Sequence, residues 1–241
     1  MGTADLHVHT DHSYDGTASV RSVLAAAKNA RLDLLAITDH DTISGALEAV
    51  AMSADFGVTV IPGVEITTAE GDLLALNIRT LVPAKLSLTE TVHRVADLGG
   101  FCVAAHPMSG GFGMKSLSHY SIIRALKDPI VQNTLIGIET YNATAIDQDA
   151  NKSADLLAGL VKVAKTGSSD AHVAQAIGCG RTRFQGHTLE DLLIALRNRQ
   201  TEPVLGERWG SQRVLTSWVG AYLRNSINKS FSLSQGVRLW K

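Results

Sequence analysis

Short apolar runs rich in valine, isoleucine and leucine alternate with segments of helical periodicity along most of this chain. The predicted strands are residues 6–8, 34–37, 58–61, 73–78, 101–105, 135–138 and 161–164. The predicted helices are residues 19–31, 43–56, 88–98, 118–127, 147–160 and 189–199. Such alternation predicts an α/β fold in which helices cover a parallel sheet.

Polar residues recur directly after these predicted strands. They are His7, His9, Asp39, His40, Glu65, His106, Glu139, Asn142, Asp170 and His172. An open sheet gathers its functional groups mainly at one switch point, whereas a barrel collects them from the C-terminal ends of many strands. The pattern therefore favours a seven-stranded (β/α) barrel, similar to a TIM barrel, with its site at the C-terminal ends of the strands.

The 241 residues suffice for one large barrel, and their formal net charge of −1 provides no overall field for nucleic acid or anionic lipid. The charge is unevenly distributed, because residues 208–241 contain no acidic residue. The basic residues of this tail are Arg208, Arg213, Arg224, Lys229, Arg238 and Lys241. We therefore divide the chain into a barrel at 1–207 and a basic tail at 208–241, predicted to form a helix packed on the barrel or on a partner subunit.

Cysteine content and the distribution of apolar residues bear on the compartment. Cys102 lies in an apolar run and Cys179 in a glycine-rich loop, and two cysteines so differently placed do not indicate a disulfide framework or a zinc knuckle. The first residues lack the basic and apolar regions of a signal peptide, and no apolar run approaches the ~20 residues of a membrane span. The expectation is a cytoplasmic protein without a membrane association.

Six separated motifs offer metal-ligating side chains. His7 and His9 stand two residues apart at a strand end, which lets both imidazoles face the same side. The others are Asp15 in Tyr-Asp-Gly, His40 in Thr-Asp-His-Asp, Glu65 in Gly-Val-Glu, His106 in Ala-His-Pro, and Asp170 with His172 in Ser-Ser-Asp-Ala-His. In order and context these motifs resemble the polymerase-and-histidinol-phosphatase (PHP) family of metal-dependent phosphoesterases, from His7 to about Thr182.

The resemblance implies a distorted seven-stranded barrel with up to three metal ions. It implies His7, His9, Glu65 and Asp170 around a first ion, Asp15, His40 and His172 around a second, and Glu65 with His106 on a third. Asp39 and Asp41 would orient His40 and neighbouring ligands, since a ligating imidazole usually donates its other N–H to a carboxylate or carbonyl. We count Asp41 among the candidate catalytic residues for this reason.

One segment departs from the family pattern. Many members carry a further histidine ligand of the third ion after the residue equivalent to Glu65, whereas this chain reads Glu70-Gly71-Asp72-Leu73. Asp72 can bind a metal through oxygen, or it can be a turn residue. Both interpretations remain open, and Asp72 is retained as a candidate metal ligand.

Other residues near the motifs have alternative roles. His12 lies between His9 and Asp15, where it can reach substrate or donate a proton, whereas His93, His119 and His187 fit solvated or capping roles. Arg181 and Arg183 can clamp phosphate oxygens or belong to a solvated loop. The glycine-rich segment 108–116 is a flexible connection or a lid over the site.

The candidate ligands are imidazoles and carboxylates, which suit zinc, manganese or iron. The sequence thus predicts a phosphoesterase with two or three divalent ions that hydrolyses a small phosphate monoester. A nuclease or phosphodiesterase using the basic tail to bind nucleic acid is the alternative. A non-catalytic scaffold is less favoured, because burying so many polar groups without metal would be costly. The oligomeric state stays open.

Overall fold

The computed structural model describes residues 1–110, 115–143 and 148–206, together with residues 216, 219 and 220. Its strands are β1 (Gly2–Asp5), β2 (Leu34–Ile37), β3 (Thr59–Thr67), β4 (Asp72–Leu76), β5 (Phe101–Ala104), β6 (Leu135–Asn142), β7 (Ala164–Ser168), β8 (Gly180–Phe184) and β9 (Glu202–Leu205). Its helices are α1 (Val20–Asn29), α2 (Ser44–Phe56), α3 (Leu88–Asp97), α4 (His119–Ala125), α5 (Pro129–Thr134), α6 (Gln148–Val161) and α7 (Leu189–Arg197), with a 3₁₀ turn at Ala174–Ala176.

The nine strands form one sheet in the order β7-β6-β5-β4-β3-β2-β1-β8-β9. Pairing is parallel through β1–β2–β3 and through β5–β6–β7. The expectation of an entirely parallel sheet is wrong, because β4 runs antiparallel to both of its neighbours and β8 runs antiparallel to β1 and β9. The reason at β4 is the short link 68–71, which cannot hold the crossover that a parallel connection requires.

The sheet curves into a nearly closed barrel, which confirms the predicted fold class. Across the remaining gap, the hydroxyl of Thr182 on β8 accepts from Gly167 N at 3.0 Å and donates to Gly167 O at 2.9 Å on β7. Beyond these strands, Val8 pairs with Ala171, and His9 N donates to Ala171 O at 3.0 Å. The C-terminal ends of β1 and β7 are therefore held side by side.

The six predicted helices are present with ends shifted by at most two residues, and most begin at a capping side chain. Ser19, Ser87, Ser118 and Thr188 each accept from a backbone N–H in the first turn of the helix that follows. The short helix α5 was not predicted; it begins at the Asp128 cap with Pro129 in its first turn. Most strands differ more from their predicted bounds, and β1 ends before the predicted run 6–8 begins.

The barrel interior is apolar below the strand ends. Leu74, Leu76, Val103 and Phe184 belong to one buried cluster that also includes Leu192 and Leu196 of α7. Helix α7 therefore packs against the interior of the barrel. Among the described residues, no helix has both the length and the apolar character of a membrane span.

The bridge made by Thr182 gives a prediction about stability. Thr182→Val preserves shape and removes the hydroxyl, which leaves Gly167 N–H and C=O buried without this partner. We expect the free energy of unfolding to fall by about 1–3 kcal/mol. Chemical denaturation measures the change, and Thr59→Val, at an exposed position of β3, is the control. Equal stability of Thr182→Val and wild type would show that the bridge contributes nothing.

Candidate metal centre

The strand ends bring imidazoles and carboxylates together at one end of the barrel. His7 and His9 follow β1, and the pairing of Val8 with Ala171 turns both rings toward the same interior. His40 follows β2 and pairs through its backbone with Glu65 in β3. His106 follows β5, and Asp170 and His172 follow β7. The barrel curvature therefore places these side chains around Glu65.

Asp15 reaches the same place from the β1–α1 loop. The hydroxyl of Ser13 donates to Asp15 Oδ1 at 2.7 Å and accepts from His40 N at 3.2 Å. The following Gly16 is required, since a Cβ there would lie 1.8 Å from Thr10 O. This contact explains the glycine of the Tyr-Asp-Gly motif and fixes the loop that carries Asp15.

Glu65 lies at the centre of the buried part of the cluster, where two sets of ligand atoms overlap. Its Oε1 lies 3.0 Å from His106 Nε2, and its Oε2 lies 3.0 Å from His7 Nε2 and 3.3 Å from His9 Nε2. Asp170 Oδ1 lies 3.4 Å from His7 Nε2 and 3.2 Å from His9 Nε2. The combinations His7–Glu65–His106 and His7–His9–Asp170 each present ligand atoms within 4.8 Å of one another.

A third group surrounds Asp15 nearer to solvent. Asp15 Oδ2 lies 3.3 Å from His40 Nε2 and 3.2 Å from His172 Nε2. The ring of His172 stacks on His9 at 4.2 Å between centroids. His9, Asp15, His40 and His172 also offer ligand atoms within 4.8 Å of one another. His9 therefore links this group to the deeper ones.

Strong opposing electrostatic effects act on these groups. Burial disfavours charge on His7, but the carboxylates of Asp170, Glu65 and Glu139 outweigh it and raise the pKa of His7 well above its usual value. Burial alone would raise the pKa of Glu65, but His7 and His40 hold that pKa well below its usual value. The cluster is thus built to hold positive charge among carboxylates, whether carried by protons or by metal.

The donor atoms fit divalent metal ions. Among the described residues, both ring nitrogens of His9 and Nδ1 of His40 are buried without a hydrogen-bond partner. His9 Nε2 lies 3.2 Å from Asp170 Oδ1 and 3.3 Å from Glu65 Oε2, and His40 Nδ1 lies 3.4 Å from Glu65 Oε2. A neutral imidazole offers one nitrogen lone pair, and in such an environment of carboxylates it can bind a metal ion. The set lacks thiolate and therefore suits zinc, manganese or iron.

The family model of the PHP domain matches residues 5–199, which includes the whole cluster. The chain belongs to the PHP domain family. Membership makes the protein a metal-dependent hydrolase of phosphoester bonds.

Three similar curated proteins illustrate the range of relatives. An uncharacterised protein of Methanocaldococcus jannaschii is 35% identical over 161 residues, 63% of this chain and 88% of that protein. A 5′-3′ exoribonuclease of Haemophilus influenzae is 31% identical over 50% of this chain and 47% of its own. A 3′,5′-nucleoside bisphosphate phosphatase of Chromobacterium violaceum is 38% identical over 30% of this chain and 25% of its own. In the exoribonuclease and in the phosphatase, the match thus covers less than half of the length of that protein.

Solved structures agree on the fold. A two-domain protein from Bacteroides vulgatus, containing a predicted PHP-like metal-dependent phosphoesterase, matches with a TM-score of 0.69 and 18% identity. The match covers 85% of this chain and 65% of that one. At this level of identity the likeness shows the shared barrel and nothing finer.

Eight of the predicted ligands of the PHP domain lie within the three groups, and Asp72 lies beside them. Asp72 is buried at the start of β4, and its Oδ2 accepts from Lys115 N at 3.3 Å. Its Oδ1 has no hydrogen-bond partner among the described residues. Burial and the charge of Glu65 raise the pKa of Asp72 to about 6. The ligand interpretation of Asp72 stays a prediction.

The two candidate catalytic residues, His12 and Asp41, lie at the rim of the site. His12 Nδ1 is 2.9 Å from Ser44 Oγ, and His12 Nε2 is 3.0 Å from Glu48 Oε2, both on α2. Asp41 Oδ1 accepts from Thr67 N at 2.9 Å, and Asp41 N donates to Glu65 O at 3.0 Å. Asp41 thus contacts the backbone of Glu65 and Thr67, and its hydrogen bonds do not involve the imidazole of His40.

Asp39 also differs from its predicted contact with His40. Its carboxylate accepts from Thr10 N at 2.6 Å and from Thr10 Oγ1 at 2.8 Å. This contact fixes the backbone directly after His9. Asp39 is fully buried, and Gly45 of α2 packs closely on it, since a Cβ at that position would lie 2.1 Å from Asp39 Oδ2.

Arg181 and Arg183 do not join the cluster of imidazoles and carboxylates, and their predicted role in substrate binding stays a prediction. Arg181 Nε donates to Gly178 O at 2.5 Å, and its Nη1 donates to Ala30 O at 3.2 Å. Arg183 pairs with Glu202 at 2.6 Å. The reason is the reversed direction of β8, which carries the chain away from the strand ends as it passes these residues.

Glu139 supports the centre, a role that the sequence did not predict. Glu139 Oε1 lies 3.2 Å from His7 Nδ1 and 2.5 Å from Ser168 Oγ, while its Oε2 accepts from His106 N at 2.7 Å. Asn142 Nδ2 donates to both Glu139 and Asp170 at 3.0 Å. The sequence does contain one indication of this role. Glu139 and Asn142 follow directly on the apolar run of β6, and polar side chains in a buried strand need polar partners.

Asp5 supports the opposite side of the centre. Its carboxylate accepts from Ser169 N at 3.0 Å and from Gly178 N at 2.8 Å, and it is fully buried. Burial raises the pKa of Asp5 to about 6, although these hydrogen bonds work against the rise. Asp5 therefore fixes the turn in which Asp170 adopts a φ of +52°.

Parts of two other predictions lie outside the described residues. The proposed lid at 108–116 includes the undescribed residues 111–114. The predicted helix of the tail runs through Val214, Leu215, Trp218, Val219, Tyr222 and Leu223, and Val219 is the one of these six that the structure describes.

Proposed function

We propose that this PHP domain hydrolyses a small phosphate monoester with two or three divalent ions of zinc, manganese or iron. The observation that carries the proposal is the depth of the cluster. His7, His9 and Glu65 are almost fully buried, while the side chains of Asp15, His40 and His172 are 14%, 12% and 23% exposed. A terminal phosphate fits such a recess better than the middle of a nucleic-acid strand.

The three groups support an assignment of side chains to the ions. His7, His9, Asp170 and Glu65 would hold one ion, Asp15, His40 and His172 a second, and Glu65 with His106 a third. When bound, the ions would make hydroxide available at neutral pH and neutralise charge on the phosphoryl oxygens. Three divalent ions carry more positive charge than Asp15, Glu65, Asp72 and Asp170 neutralise, so the site attracts phosphate.

The protein itself contributes orientation and a proton. Glu139 and Asn142 fix His7 and Asp170, Asp41 fixes the backbone around Glu65, and Asp39 fixes the chain after His9. His12 is the proposed proton donor to the leaving oxygen. Glu48 Oε2, 3.0 Å from His12 Nε2, orients the imidazole ring for this role.

A nuclease acting on nucleic-acid ends is the second candidate, and the path of the chain favours it. β9 runs toward the end of the barrel that holds the cluster, where Gly206 N donates to Cys179 O at 2.7 Å. The described chain thus reaches residue 206 at the end of the barrel that holds the cluster, directly before the basic residues 208–241 in the sequence, which we propose to be a unit separate from the barrel of residues 1–207. A phosphate backbone could lie against this tail.

A substrate panel separates the two candidates. Phosphomonoesters, phosphodiesters and short oligonucleotides are offered with manganese and with zinc, to the full chain and to a chain ending at residue 207. The proposed function predicts fastest release of phosphate from small monoesters, unaffected by truncation. If the full chain instead prefers oligonucleotides, and if truncation lowers both their turnover and its dependence on salt, the nuclease is the better assignment. Turnover of neither class would reject both.

Asp72 gives a prediction about the third ion. If Asp72 is a ligand, Asp72→Ala should keep two tightly bound ions and lose the third, because a carboxylate favours hard cations and its removal leaves Glu65 and His106 alone. Asp72→His should restore a third ion and favour zinc. Elemental analysis and anomalous scattering count the ions. Three occupied sites in Asp72→Ala would show that Asp72 is only a turn residue.

A further inference from the structure

Tyr14 occupies a distinctive place at the rim of the metal centre. It lies in the β1–α1 loop between the buried Ser13 and the half-buried Asp15. Its ring stacks on the imidazole of His40 with 5.0 Å between centroids and 24° between planes. Nevertheless 74% of the residue is exposed. One face of the ring thus rests on a member of the cluster, while much of the ring remains open to solvent.

The loop holds Tyr14 in a fixed position. Asp11 N donates to Ala18 O at 2.9 Å, which closes the loop, and Thr17 N donates to His172 O at 3.1 Å. Ser13 bridges Asp15 and the backbone of His40, as described above. A ring carried on such a loop loses little conformational freedom when a ligand packs on it.

Tyr120 offers a comparison. It is the other strongly exposed aromatic residue in the part of the chain that the structure describes, with 66% exposure. Its ring lies 5.9 Å from the guanidinium of Arg124 on the same helix. Surface exposure is therefore common to both tyrosines, whereas stacking on a cluster imidazole is particular to Tyr14.

We propose that Tyr14 determines specificity by stacking on a nucleobase of the substrate, which makes the substrate a nucleotide. This inference rests on the proposed function, because the phosphate must enter the recess for the organic part to remain at the rim. A nucleobase offers a flat π-face, and tyrosine stacks on any base without reading its sequence. An ester without an aromatic ring would leave the outer face of Tyr14 uncovered.

The test compares adenosine 5′-monophosphate with ribose 5-phosphate, which lacks only the base. Their KM values are measured for wild type, Tyr14→Ala, Tyr14→Phe and the matched control Tyr120→Ala. Tyr14→Ala should raise KM for the nucleotide roughly tenfold and leave KM for the sugar phosphate unchanged. Tyr14→Phe retains the ring and should behave as wild type, as should Tyr120→Ala.

Calorimetric binding of adenosine 5′-monophosphate to the metal-loaded proteins separates this inference from the proposed function. Nucleotide binding that weakens in Tyr14→Ala without any hydrolysis would reject the function and retain the stacking role. Hydrolysis of both esters with a KM that Tyr14→Ala leaves unchanged, or raises equally, would overturn the stacking role and retain the function. An equal effect of Tyr120→Ala would also overturn it. Neither binding nor hydrolysis would reject both.

Discussion

Asp170→Ala is expected to lower turnover by at least about three orders of magnitude while the barrel stays folded. Asp170 contacts His7, His9 and Asn142 and belongs to the buried group His7–His9–Asp170. Losing a metal-binding carboxylate removes several kcal/mol of transition-state stabilisation, and each 1.4 kcal/mol is about a tenfold change in rate. Steady-state phosphate release measures the effect, and circular dichroism checks the fold.

His187→Ala is the matched control for this experiment. His187 is an exposed histidine whose Nδ1 lies 2.8 Å from Asp33 Oδ1, away from the strand ends that carry the cluster. The turnover of His187→Ala should equal that of wild type. His40→Ala should resemble Asp170→Ala, since His40 contacts both Asp15 and Glu65. Comparable losses in all three variants would mean that the wrong histidines have been assigned to the centre.

Glu139→Gln should weaken metal binding by about 10–100-fold, the usual effect of removing a support behind a ligating imidazole. Each oxygen of Glu139 accepts from two donors. Oε1 contacts His7 and Ser168, and Oε2 contacts His106 and Asn142. Glutamine replaces one of these oxygens by an amide that donates, so one side must lose its hydrogen bonds. His7 then loses the contact that fixes its ring.

Titration of apoprotein with manganese or zinc measures the affinity of Glu139→Gln. Glu90→Gln is the control, because Glu90 is an exposed residue of α3 whose side chain contacts Arg94 at 3.4 Å. Unchanged metal affinity in Glu139→Gln would show that the buried network around Glu139 supports only the fold. A loss of affinity with normal unfolding behaviour would assign it to the centre.

Much of the fold and of the cluster follows from the sequence, for a physical reason. Apolar runs locate strands because buried strands need them, and a barrel brings strand ends together, so His7, Glu65 and Asp170 can be placed near one another despite their distance in the chain. Helix bounds follow from local capping residues such as Ser87 and Thr188, which act within one turn.

The direction of a strand is much harder to predict. The apolar run of β4 has the same composition whether it runs parallel or antiparallel, and only the shortness of the link 68–71 indicates the reversal. Strand β8, in which polar and apolar residues alternate, is not among the predicted strands. The positions of Arg181 and Arg183 relative to the cluster were therefore not predicted either. Glu139 was noticed after a strand, but its contacts with His7 and His106 depend on tertiary packing that local sequence does not encode.

Phosphate release before and after removal of bound metal tests the metal-dependent reaction most directly. Protein as purified should contain about two or more transition-metal ions per chain, chelation should abolish hydrolysis of a small phosphomonoester, and added manganese or zinc should restore it. Metal content is measured by elemental analysis on the same samples. Full turnover in protein shown to be free of metal would contradict the assignment of the cluster as a catalytic metal centre.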